Sequence, residues 1–302
     1  MSGPDGRPLR HALLLPNAGH YADPARLVEY AVRAEESGWD GLFLWDHLML
    51  HRELRLPVAD TWTAVTAVLA RTRRLVSGPL VTPLARRRPW KVARESATLD
   101  RLSGGRLVLG VGLGAVGDLD FAAFGEEGGL RERAARVDES LEVLAGLWRG
   151  TEFSHQGPHY RVDRATFLPT PVADPHGRGP RVPVWGAATW PAAGSGALRR
   201  AAALDGVVPM VRAEGGGLRG PEADELAAIL RRMDEVGSRP GPAGREVAAV
   251  AVAAPGDPDA ARAQSAALAA AGATWRLESF DPWRRTPRDL AEWLAAGPPR
   301  TV

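Results

Sequence analysis

The sequence predicts an α/β protein of the (β/α)₈ TIM-barrel class, and three observations predict it. Short apolar runs alternate with helix-patterned segments, the mark of parallel βαβ units. Eight such strand–helix units can be counted along the chain. The length, 302 residues, is that at which an eight-stranded barrel forms as one unit. A doubly wound open sheet shares the alternation, but eight units with no obvious break favour closure. Residues 1–302 are therefore read as a single barrel domain.

Residues 11–16 (HALLLP) read as the first strand. Asp23 and Pro24 then open a helix, with Asp as N-cap and Pro in the first turn. Residues 39–46 (WDGLFLWD) form the second strand, with its helix over 61–70. The third strand is 75–83 with its helix at 90–102, and the fourth is 105–112 (GRLVLGVG). The next helix carries apolar residues at Leu130, Ala134, Val137, Leu141, Leu144 and Trp148, the spacing of one buried face. Regularity breaks at 151–180, rich in Pro and Gly, which reads as an irregular insertion or hairpin beside the barrel between the fourth and fifth units. Four further units follow: 182–187 with 196–204, 206–210 with 222–236, 247–253 with 259–271, and 273–278 with 287–296. Pro221, Pro258 and Pro287 each fall where a first helical turn begins.

Composition excludes several classes of function. A hydrophobic content of 45% with 25% charge is that of a globular protein with a large core. Net charge is only +2 and the basic residues are scattered, which argues against nucleic acid as a partner. The one dense run, Arg86-Arg87-Arg88, ends at Pro89 and reads as a solvated loop or a ligand-facing edge. Without cysteine there are no disulfides, no thiolate catalysis and no zinc–cysteine site. No apolar run reaches 18 residues and the first ten residues lack a signal-peptide core, so a cytoplasmic protein without membrane contact is expected. Lys91 is the only lysine, so cationic contacts to a ligand fall to arginine.

Catalytic residues of such barrels stand at the carboxyl ends of the strands. That rule selects Asn17, Asp46 with His47, Thr82, residues 112–114, residues 187–196, Arg212 and Glu278. A histidine beside an aspartate can donate or accept a proton near neutral pH, the carboxylate setting its tautomer and basicity; the plainer reading is a packing or capping histidine. The run Gly112 to Gly117 (GLGAVG) matches the dinucleotide fingerprint. It follows the fourth strand and leads into an irregular stretch, so Gly112 and Gly114 read instead as a turn, or as backbone that a planar ring can approach. Gly194-Ser195-Gly196 precedes a helix, where free N–H groups suit a phosphate, although an ordinary entry loop looks the same. His47 and His51, and His155 and His159, stand four apart, but Gly157-Pro158 breaks the second pair and the first lies in a loop, so no metal site is assigned. Trp45, Trp90, Trp185 and Trp190 map near strand tops, as walls of an aromatic pocket or as packing.

Together these segments resemble the luciferase-like monooxygenase family, over nearly the whole chain. The resemblance is carried by RPWKVARESATLDRLSGGRLVLGVGLG (88–114), with TLDRLSGGR its most characteristic block. It is supported by AEESGWDGLFLWDHL (34–48), LVTPLARRRP (80–89), Phe124-Gly125, VWGAATW (184–190) and ATWRLESFDPW (273–283). The resemblance implies a flavin- or deazaflavin-dependent oxidoreductase, a monooxygenase or a hydride-transferring reductase or dehydrogenase, holding FMN or coenzyme F420 non-covalently and acting on a small organic substrate. The family's Asp-His pair after the second strand falls on Asp46 and His47, the histidine handling protons near the ring. The ring-supporting bulge falls on Pro79, Leu80, Val81 and Thr82, which implies a non-prolyl cis peptide at Pro79-Leu80. The phosphate region falls on Ala187, Ala188, Gly194, Ser195 and Gly196, with Gly112 and Gly114 beside the ring. A separate flavin or F420 reductase and a homodimeric state are implied as well. One departure stands out: where sugar-phosphate dehydrogenases of the family carry a glutamate after the fourth-strand glycines, this chain has Ala115. Two other readings remain open, a metal-dependent barrel hydrolase using Asp46, His47 and His51, and a non-catalytic flavin or F420 carrier.

Overall fold

The computed structural model describes residues 8–50, 52–114, 119–126, 129–172, 179–191, 194–237, 244–252, 257–281, 283 and 285–300. Eight parallel strands form the barrel wall: β1 Arg10–Leu15, β2 Gly41–Leu44, β3 Val76–Pro79, β4 Leu109–Gly112, β5 Val184–Trp190, β6 Gly206–Arg212, β7 Glu246–Ala251 and β8 Trp275–Ser279. Their principal helices, in the same order, are α1 Pro24–Glu36, α2 Thr61–Arg71, α3 Pro89–Ser103, α4 Leu130–Trp148, α5 Gly196–Ala202, α6 Ala223–Val236, α7 Pro258–Ala270 and α8 Pro287–Ala296. Each strand pairs with the next and β8 pairs back to β1, so the sheet closes. The seam between β3 and β4 is short. There Ser77 bridges Leu107, and Thr82–Pro83, just beyond β3, pairs with Val111 and Gly112. A Cβ on Gly78 would stand 1.8 Å from the Val108 carbonyl oxygen, so only glycine lets the strands meet there.

Side-chain alternation sorts the core into two layers. Ala12, Leu14, Phe43, Leu80, Val108, Trp185, Val208, Ala248, Val250, Trp275 and Leu277 pack together, a set drawn from the strands or their immediate flanks and from no helix; this is the barrel interior. Phe43, Trp185 and Trp275 fill its centre with ring centroids 5.4 to 5.9 Å apart. Trp185 is thus a core residue. The outward-facing strand residues pack against the helices in two further clusters. Helix starts follow local chemistry: Asp23, Asp60, Asp257 and Thr286 accept first-turn amide hydrogen bonds, and Pro24, Pro89, Pro258 and Pro287 occupy first turns.

The stretch 151–180 contains a hairpin, Phe153–Gln156 against Arg161–Ala165, that lies against α4. Its exit is tied to α3 by Arg94 to the Leu168 carbonyl (2.6 Å) and by the Val172 amide to Asp100 (2.8 Å). His155 and His159 are held by Glu139 and Glu132 of α4, at 3.0 and 3.4 Å, and so staple the hairpin to that helix. The floor of the barrel explains the TLDRLSGGR block. Gly104 ends α3 in the left-handed conformation, and the Arg106 guanidinium then donates to the carbonyls of Leu69, Thr72, Leu75 and Ser103 and to the Thr72 hydroxyl. All five of its N–H groups are used. That block is structural.

Candidate active site

The carboxyl ends of β2 and β3 carry a dense polar cluster. Asn17, fully buried after β1, grips the His47 backbone: its amide nitrogen donates to the His47 carbonyl (2.8 Å) and its oxygen accepts from the His47 N–H (3.3 Å). The Asp46 carboxylate accepts from the Thr82 hydroxyl at 2.7 Å, from Arg86 at 3.1 Å and from Arg87 at 3.3 Å. Thr82 is held in turn by the Trp62 indole N–H at 3.1 Å. Asp46 and Thr82 are both buried, and their polar atoms lock the ends of β2 and β3 to each other.

The expectation that Asp46 sets the tautomer of His47 is corrected. Successive residues leaving a strand turn to opposite sides, and the two side chains part. The carboxylate that meets His47 is Asp120, from the short helix Leu119–Ala122 between β4 and α4. Its Oδ2 lies 2.9 Å from His47 Nδ1 and 2.9 Å from Arg86 Nη1; its Oδ1 accepts from the backbone amides of Leu48 and Met49 at 2.7 and 2.8 Å. Burial alone would raise the Asp120 pKa, but the His47 hydrogen bond, the Met49 amide and the charges of His47 and Arg86 outweigh it and hold it at about 2. The Asp120 side chain is 0% exposed and that of His47 is 27% exposed. Among the described residues no hydrogen bond reaches His47 Nε2. Arg86, 3% exposed, joins both carboxylates, so the Arg86-Arg88 run is no solvated loop: two of the three arginines turn inward and the third lies near the Trp90 ring.

Apolar side chains stand beside this cluster. Trp45, Val81 and Met210 sit partly exposed above the interior cluster, with the Trp45 ring edge-on to His47 at 6.0 Å. The non-prolyl cis peptide falls between Leu80 and Val81, one bond later than the expected Pro79-Leu80. The Leu80 amide still donates to the Leu44 carbonyl (2.7 Å), so the ladder with β2 runs past Pro79 before the chain bulges. Pro79 and the Leu80 side chain are buried, which leaves Val81 as the bulge residue that faces the opening. Gly112 lies beneath it: a Cβ there would stand 2.6 Å from Val81 Cγ2 and 3.8 Å from the Ala187 Cβ. Gly114 makes its turn at φ +79°.

Across the mouth, Ala187 faces inward, whereas the Ala188 side chain packs outward among helix residues and can offer a ligand only its backbone. Gly194 and Gly196 have nothing within 4 Å of where a Cβ would stand, and the Ser195 hydroxyl makes no capping bond to α5. Two strand-end candidates fall elsewhere. Arg212 is exposed, and Glu278 is buried on the outer face of β8 between Arg276 (2.7 Å) and Arg285 (2.8 Å), because Leu277 takes the inward position. Ala115, Gly117 and His51 lie outside the described residues. Among the described residues no three His, Cys, Asp or Glu side chains are grouped as a metal site requires. Sequence reasoning missed Asp120 and the hold of Arg86 on two carboxylates, whereas Val81 lay within the expected bulge. The available signal for Asp120 was an acid just after a glycine-rich strand end, four residues before Phe124-Gly125.

A closed (β/α)₈ barrel whose polar cluster sits at the carboxyl ends of its strands is the architecture of a barrel enzyme. Residues 10–297 match the model of the luciferase-like monooxygenase family, and the chain belongs to that family. It is 38% identical over 175 residues to an F420-dependent glucose-6-phosphate dehydrogenase of Nakamurella multipartita, covering 56% of this chain and 48% of the relative. The chain thus spans about half the length of the curated relatives it matches. Its fold is that of an F420-dependent secondary alcohol dehydrogenase solved with an F420-acetone adduct (TM-score 0.74, 16% identity, 99% of each chain). It is also similar to the oxygenating constituent of 3,6-diketocamphane monooxygenase from Pseudomonas putida in complex with FMN (TM-score 0.60, 19% identity, 84% of this chain and 70% of that one). Among the described residues no helix is long and apolar enough to cross a membrane.

Proposed function

We propose that this protein is an oxidoreductase holding a flavin-type cofactor, FMN or the deazaflavin F420, non-covalently at the barrel mouth. The observation that carries the proposal is His47: half-open, with Nδ1 bound and no hydrogen bond to Nε2 among the described residues, at the strand ends where the partly buried Trp45, Val81 and Met210 pack on the barrel interior. F420 is the better supported cofactor, because the relatives that match by sequence are F420-dependent dehydrogenases. The residues fit such a group. The Leu80-Val81 bulge offers backbone to a ring, with Pro79, Leu80 and Thr82 behind it and Gly112 and Gly114 alongside. Open space at Gly194 and Gly196, with the Ser195 hydroxyl and the backbone of Ala187 and Ala188, suits a phosphate. When bound, the cofactor supplies the redox chemistry. This chain orients it, excludes water with its apolar walls, and moves a proton at His47 Nε2, while Asp46 locks the strand ends that carry the site. In the FMN form a separate reductase supplies reduced flavin. We read the working state as a cytoplasmic homodimer, which sedimentation tests.

The substrate is read as a small organic molecule other than a sugar phosphate, since Ala115 replaces the family glutamate and the walls near His47 are apolar. Titrating the purified protein with F420 and with FMN separately, by fluorescence and absorbance, tests the cofactor assignment. Saturable binding of F420, followed by its reduction with a secondary alcohol but not with glucose 6-phosphate, is expected. Binding of neither cofactor would sink the reading. The FMN reading gains support if FMN alone binds.

A further inference from the structure

We propose that Asp120 is the positioning residue of the site: it holds the proton of His47 on Nδ1 and so makes Nε2 the atom that exchanges protons with substrate. The inference rests on the oxidoreductase reading above for what the proton is used for, but not for where it sits. A carboxylate that accepts two backbone amides and stands 2.9 Å from a guanidinium nitrogen is ionised at neutral pH, and an ionised carboxylate has no proton to give. The 2.9 Å contact between Asp120 Oδ2 and His47 Nδ1 is therefore a hydrogen bond donated by the imidazole. The Leu48 and Met49 amides fix the carboxylate from one side and Arg86 from another, so it cannot follow the ring if the ring flips. Asn17 fixes the ring's backbone at the same time. Arg86 faces both Asp120 and Asp46, and Arg87 faces Asp46 as well. Sequence adjacency favours Asp46 for this task; the geometry assigns it to a residue 73 positions away.

The test needs no cofactor for its first readout. Imidazole ¹⁵N–¹H correlation spectra of the ligand-free protein, with His47 assigned by its loss in His47→Gln, report which ring nitrogen carries the proton. The wild type is expected to hold the Nδ1–H tautomer at neutral pH. In Asp120→Asn the side-chain oxygen can keep the Leu48 and Met49 amides, which presents an NH₂ group to Nδ1, and the ring is expected to switch to Nε2–H. With cofactor and substrate, Asp120→Asn should lower kcat about a hundredfold or more. KM should stay within about threefold and the pH limb of kcat should move down by about one unit. An unchanged tautomer in the variant, or a fallen kcat with an unmoved pH limb, overturns the proposal and leaves Asp120 a structural anchor. If the variant does not fold, the wild type alone decides, since an Nε2–H tautomer refutes the assignment. A correct tautomer in a protein that binds neither FMN nor F420 would uphold the dyad and remove the oxidoreductase reading.

Discussion

Two arginines organise the two ends of this barrel, and they differ in what they hold. Arg106, at the floor, spends all five donors on neutral oxygens: three main-chain carbonyls around the end of α2 and the start of β3, the Ser103 carbonyl at the end of α3, and the Thr72 hydroxyl. Arg86, at the mouth, is bound to two carboxylates, Asp46 and Asp120, one of which touches a half-open histidine. A guanidinium on the carbonyls of a helix end is a cap, and nothing in its surroundings changes protonation near neutral pH. A guanidinium between two acids, one of which faces an imidazole, places its charge beside a group that can titrate. The difference teaches that the most recognisable sequence block of the chain, TLDRLSGGR, marks architecture, whereas the titratable cluster sits in loops with a less distinctive sequence.

The contrast can be broken most sharply at the floor. Arg106→Ala leaves several main-chain carbonyls without their donor, and should cost about 3–5 kcal/mol of unfolding free energy. Denaturant unfolding measures it, and a loss under 1 kcal/mol would deny the cap its role. At the mouth the expectation reverses. His47→Ala should lower turnover roughly a hundredfold or more while the cofactor dissociation constant stays within roughly tenfold. His47→Asn should fare little better, since it hydrogen-bonds but shuttles no proton. Near-normal turnover in His47→Ala would demote the residue to a packing group. Replacing Gly196 with Leu fills open space beside the proposed phosphate position and should weaken cofactor binding by about tenfold or more, from the lost charge-assisted contacts. Unchanged affinity would move the phosphate elsewhere.

A smaller effect separates the two ends by pH. Burial, with the charges of Arg276 and Arg300, lowers the His11 pKa from 6.5 to about 3, near the start of β1. The unfolded chain protonates this group as pH falls through 6.5 and the folded protein resists until about 3. Its stabilising contribution is therefore whole above 6.5 and is lost progressively below it, with a slope of at most about 1.4 kcal/mol per pH unit. Asp120 works in the same sense over a lower window: its pKa falls from 3.8 to about 2, so its contribution is present above 3.8 and lost as pH drops through 2. Unfolding midpoints from pH 7 to 4 should fall less steeply in His11→Leu than in the wild type. Parallel curves would show that His11 does not carry the acid sensitivity.

Much of this molecule was legible in the sequence because its determinants are local and periodic. Alternating strands and helices, Asp and Pro at helix starts and the break after α4 are written within a few residues of where they act. Even the cluster's address was readable, since the rule that barrel chemistry stands at strand ends picked out Asn17, Asp46, His47 and Thr82. Tertiary structure alone decided who holds whom. Neighbours such as Asp46 and His47 diverge because a strand throws successive side chains to opposite sides, while Asp120 reaches the histidine and Arg86 the two carboxylates only once β2, β3 and β4 are laid side by side. The same alternation sent Glu278 to the outer face and Trp185 into the barrel, and the run of the β2 ladder to Leu80 placed the bulge one residue beyond its expected start. Sequence distance carries no information about such contacts; closure of the ring creates them.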